Sequence, residues 1–93
     1  MVQFRSPRAA LANVSDEARA DEARGAKAFA VPSIPGARGF GGVSGASTGY
    51  NVAFADGADY YLVGEVYRTG SPGVATRQDL IAAAKHLYAR VHH

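Results

Sequence analysis

The residues able to do chemistry are few. The only imidazoles are His86, His92 and His93, and there is no cysteine. Without a thiolate the chain has no Cys nucleophile, no sulfur ligand for zinc and no disulfide. His86 falls just off the apolar stripe of a C-terminal helical stretch, where a histidine faces solvent. His92 and His93 stand where a purification tag would begin, and no mechanistic role is assigned to them. The carboxylates Asp56, Asp59 and Glu65 are strung along one hairpin and do not follow the Asp-x-Asx-x-Asx-Gly calcium spacing. Asp59 and Glu65 fall on one side of a strand, but glycoside hydrolysis needs two carboxyl groups across a cleft, and surface carboxylates are the simpler reading. Ser44, Ser47 and Thr48 lie in a loop without the Gly-x-Ser-x-Gly elbow of a hydrolase nucleophile. The residues therefore predict a non-enzyme with no metal and no cofactor.

A glycine-rich run, Gly36, Gly39, Gly41, Gly42, Gly45 and Gly49, invites comparison with phosphate-binding loops. A Walker A loop ends in Gly-Lys-Ser/Thr, yet no Lys occurs between residues 28 and 84. The dinucleotide fingerprint needs a strand before its glycines and a helix opening on them. Here they follow Pro35 and precede a strand. The net charge of +2 comes from scattered cations, which is not the clustered footprint of a nucleic-acid binder. No apolar run reaches 18 residues, so no segment is expected to span a membrane. The N-terminus lacks the apolar core of a signal peptide.

The elements that would position these residues follow from periodicity and punctuation. Residues 1–12 read as an arm or loop, with a helix starting near Pro7 also open. Residues 16–30 read as a helix capped by Asn13 or Ser15. Its buried face would be Ala18, Ala23, Ala26 and Ala30, with Phe29 as the large anchor. Pro35-Gly36 marks a turn. Arg38–Val43 reads as a weak, glycine-laden first strand. Tyr50, Val52 and Phe54 alternate on one face of a second strand, and Asp56-Gly57 suits a type I′ hairpin turn. The return strand is Asp59–Tyr67. A two-residue loop at Asp56-Gly57 sets Phe54 opposite Asp59. A longer loop over 56–59 sets Phe54 opposite Tyr61 and Val52 opposite Val63, and is preferred because it keeps Asp59 away from Phe54. Residues 68–73 are a turn. Thr76-Arg77-Gln78-Asp79 is a capping box, opening a helix to about Arg90 whose stripe is Leu80, Ile81, Ala84, Leu87, Tyr88 and Val91.

The expected fold is a single α+β domain over residues 1–93. A small antiparallel sheet of about three strands packs against an N-terminal and a C-terminal helix, both on one side. That layout leaves Ala53, Ala55, Tyr60, Leu62 and Val66 on the reverse face, too apolar to be solvated. Either the N-terminal segment covers that face or it is an interface.

Three segments carry a resemblance: residues 31–40 (Val-Pro-Ser-Ile-Pro-Gly-Ala-Arg-Gly-Phe), Asn51–Gly57 leading to Tyr60–Gly64, and Thr76–Ala84. Together they resemble a stretch of poorly characterised actinobacterial cell-envelope proteins. The resemblance covers residues 25–91 and implies an extracytoplasmic piece of a larger protein, a sensor or interaction domain, with no assigned functional residues. The expected function is a non-catalytic interaction module with a protein partner or a second copy of itself. Its candidate surface is Tyr60, Leu62, Val66, Arg38 and Phe40. The alternative is a small-molecule site lined by the glycine-rich loop and Tyr60.

Overall fold

The structure is a computed structural model. It describes residues 2–44, 47–68 and 76–92, and for residues 43, 44, 47, 48 and 65–68 the backbone alone. The chain runs β1 (Val2–Gln3), α1 (Pro7–Ala23), β2 (Lys27–Phe29), β3 (Arg38–Ser44), β4 (Ser47–Asp56), β5 (Asp59–Arg68) and α2 (Arg77–Val91). The strands form one antiparallel sheet of five, in the order β1-β5-β4-β3-β2.

The expectation of about three strands is therefore corrected to five. The two additions are the outermost strands, of two and three residues. Strands this short have no alternation long enough to read. Lys27–Phe29 had been absorbed into the N-terminal helix, and Val2–Gln3 into an arm.

The first helix takes the start near Pro7 that the sequence also leaves open, and the 16–30 bounds with an Asn13 or Ser15 cap are corrected. It starts at Pro7, which takes the first helical position after Ser6, and the Ser6 hydroxyl accepts from the Ala9 amide at 3.1 Å. It ends before Gly25, whose φ of +100° lies in the left-handed region that glycine reaches without strain. Asn13 and Ser15 are interior residues of this helix. Its buried line is Ala10, Val14 and Ala18, spaced by four.

The helices lie on opposite faces of the sheet, not together on one. Val52 and Phe54 pack with Leu80 and Ala84 of α2, whereas Ala53 between them packs with Val14 and Ala18 of α1. Successive strand residues point to opposite faces, so β4 is covered from both sides in a three-layer sandwich. The α2 side matches the sequence reading closely. Tyr50, Val52, Phe54, Tyr61 and Val63 all join the cluster under the expected stripe of α2. Val31 and Ile34 join it too, so the Pro-rich turn between β2 and β3 plugs the core as well as linking strands. Each fully buried side chain of this size contributes about 1.5–3 kcal/mol.

The register places Phe54 opposite Tyr61 and Val52 opposite Val63, as the longer loop required. Asp56 and Asp59 nevertheless close the ladder as a pair, so the turn is Gly57-Ala58. Gly57 has φ +59° and no other residue type takes a positive φ among the described residues. Glycine at the first turn position followed by a negative φ is the type II′ pattern, in place of the expected type I′. The Thr76–Asp79 capping box forms in both directions: Asp79 N–H donates to Thr76 Oγ1 at 3.3 Å and Thr76 N–H to Asp79 Oδ2 at 2.9 Å.

Candidate functional site

The register puts all five candidate surface residues on the α1 side of the sheet. Tyr60 pairs with Ala55, Leu62 and Arg38 both pair with Ala53, Phe40 with Asn51, and Val66 with Gly49. The helix then divides them. Phe40 is 2% exposed and Tyr60 7%, both in the cluster with Val14, Ala18 and Ala53. The N-terminal segment is the cover for this part of the face, and these two side chains are core. Leu62 stays 51% exposed, and Arg38 is exposed at the start of β3. The side chain of Val66 lies outside the described residues.

Tyr60 is a costly core residue. Phe4 meets its ring edge-on, with centroids 6.0 Å apart. Its hydroxyl is buried and finds no partner among the described residues. Burial, then the charges of Glu17 and Asp21 on α1, push its phenol up to about 12.

What remains open is the outer edge of β5. β1 pairs only with Tyr60 and Asp59. From Tyr61 to Arg68 no other described strand lies beside β5 on that side. The edge carries neither proline nor lysine, two of the usual devices that discourage strand addition. Val2, the partner of Tyr60, is 54% exposed and shares the face of Leu62. The two form an apolar border along this edge. Sequence reading found Leu62 by alternation. It missed the open edge, because which strand lies outermost depends on the two short strands that carry no periodic signal.

Among the described residues no three His, Asp or Glu side chains converge on a point. His92 does have a partner: its Nδ1 lies 2.6 Å from Asp56 Oδ1, and its ring stacks on Tyr88 at 4.7 Å. This contact fastens the end of α2 to the hairpin tip. No helix among the described residues is long and apolar enough to cross a membrane. Comparison of the chain with protein-family models, with curated proteins and with solved structures gave no match.

Proposed function

We propose that the chain is a non-catalytic interaction module that recruits a second copy of itself by strand addition along β5. The observation that carries this reading is the open edge from Tyr61 to Arg68 beside exposed Leu62. An edge strand presents unpaired N–H and C=O groups, and another extended chain is their natural complement.

A second β5 suits this edge geometrically. A twofold axis normal to the sheet through Gly64 pairs residues whose numbers sum to 128. That register aligns Tyr61–Tyr67 of both copies, places Leu62 opposite Val66, and stops one residue short of β1. Pairing positions of equal parity keeps the same faces of the two sheets on the same side. Gly64 suits the axis because its own sheet neighbour, Asn51, lays its side chain across it. Each ladder bond contributes a net of about 0.5–1.5 kcal/mol, offset by the loss of rotational and translational freedom. The dimer is accordingly weak, with Kd on the order of 10 µM to 1 mM.

Sedimentation equilibrium over micromolar to millimolar concentrations tests the proposal. The expected outcome is a concentration-dependent rise toward twice the monomer mass, abolished by Leu62→Lys. A strict monomer throughout that range, or a dimer untouched by Leu62→Lys, sinks it. The resemblance to cell-envelope proteins supports an extracytoplasmic location. Resistance to protease added outside intact cells would count against that.

A further inference from the structure

We infer that the cleft between β2, β3, β4 and the start of α2 is a binding site for the oxyanion group of a small molecule, a phosphate or a carboxylate. This site is separate from the β5 edge.

The cleft originates in the side-chain rows that cross the sheet. On the α2 side one row is Phe29, Gly39, Val52 and Val63. Gly39 leaves a gap, which the Phe29 ring fills so closely that a Cβ there would collide with it. The neighbouring row is Lys27, Gly41 and Tyr50. Gly41 has no room for a side chain either, since a Cβ there would collide with the Gly49 carbonyl and Tyr50, whereas Gly42 beside it faces open space. The resulting cleft of about 320 Å³ is bounded by Lys27, Phe29, Gly41, Gly42, Tyr50 and Arg77. It is of a size that takes a small ligand.

Two cations reach it. Lys27 and Arg77 both line it. Arg77 is held in a telling way. Its guanidinium carbon lies 5.9 Å from the centre of the Phe29 ring and 6.0 Å from that of Tyr50. Cation–π contacts occupy the face of a guanidinium and leave the N–H donors at its edge for hydrogen bonds. The two rings, packed edge-on at 6.4 Å, therefore fix the position of the cation at the cleft. A planar donor fork next to a lysine matches a carboxylate or phosphate. The α2 terminus is not needed, since Asp79 and Thr76 already cap it.

The test is a ¹H–¹⁵N NMR titration with inorganic phosphate and, separately, with acetate, at ionic strength held constant with chloride. Saturable shifts confined to the amides of Lys27, Gly41, Gly42, Tyr50 and Arg77, with either anion, support the site, and the better anion names the ligand class. Lys27→Gln, a surface change that leaves the core intact, is expected to weaken the affinity about tenfold. Lys85→Gln, about two turns further along α2 from Arg77, is expected to leave it unchanged. Shifts that never saturate, that spread over all cationic residues, or that survive Lys27→Gln at full affinity would overturn the inference.

Discussion

At the scale of single residues, Tyr60 is where chemistry and packing conflict. Its ring fills the α1 side of the core, but its hydroxyl is left buried without a partner. An unsatisfied buried polar group costs about 1–3 kcal/mol. Tyr60→Phe keeps the ring and removes that cost, so the variant is expected to be as stable as the parent or more stable by up to about 2 kcal/mol, read from the urea midpoint. The same residue sets an alkaline limit. Its folded pKa, about 12, lies above the ordinary value of 10.0. The neutral phenol is thus favoured in the folded state. Its contribution is fully present below pH 10 and is lost as pH rises from there through about 12. Tyr61 shifts in the same direction, by burial first and then by Asp59 and Asp56, so the parent alone does not separate them. Comparing urea midpoints of parent and Tyr60→Phe from pH 9 to 12 does: the advantage of the variant should widen over that interval. A constant difference would mean that Tyr60 titrates normally.

At the scale of elements, the ends of the helices decide where the chain turns. The cap on α1 is Ser6, seven residues before Asn13. Ser6→Ala is expected to lower stability by about 1 kcal/mol, while Ser15→Ala, within the helix, should be neutral or slightly favourable. Equal losses in thermal melts of the two variants would place the cap elsewhere. This helix shows what a sequence makes legible. Alternation in β4 and the stripe of α2 each involve large apolar residues repeated over several periods, so both elements and their mutual packing could be read directly. The line Ala10, Val14, Ala18 is made of small residues that recur throughout the first third of the chain and mark no face. Two- and three-residue strands are shorter than the period needed to recognise them. The candidate site inherits both blind spots. Leu62 was legible from its place in β5, but the burial of Tyr60 and Phe40 depends on α1, and the open edge depends on how little of β5 is paired with β1. Arg77 and Lys27, fifty residues apart, are brought together by the register of β2, β3 and β4 and by the contact of Arg77 with the Phe29 and Tyr50 rings.

At the scale of the whole molecule, the sheet supports two unequal cores. On the α2 side, Phe54 and Val52 are packed with Leu80, Ala84, Val31 and Ile34, and a ring of half-buried aromatic and aliphatic side chains seals the edge. Phe54 stacks on Tyr61 at 5.1 Å and meets Tyr88 edge-on at 5.7 Å. On the α1 side the helix contributes Val14 and Ala18 to a cluster with Phe40, Ala53 and Tyr60 of the sheet, and among the described residues Phe4 and Ala55 pack around it. Stabilisation scales with apolar area removed from water, and the side chains α1 itself buries, Ala10, Val14 and Ala18, are smaller than the Leu80, Ile81, Leu87 and Tyr88 that α2 brings to its core. Local opening follows such differences. Native-state hydrogen exchange is therefore expected to show α1 amides exchanging through a partial opening, at lower free energy than the amides of β4 and α2. Val14→Ala should lower the α1 opening energy by about 1–3 kcal/mol, less than a Leu→Ala change would because fewer methyl groups are lost, and leave the ordering of the elements unchanged. Undocking of α1 would also uncover Tyr60 and Phe40 beside Leu62, enlarging the apolar border of the β5 edge. If the dimer forms through that edge, α1 opening and self-association are coupled, and Val14→Ala shifts the dimerisation constant as well as the exchange rates. Exchange of α1 only through global unfolding, with one common free energy for both helices, would show instead that the two cores act as a single unit.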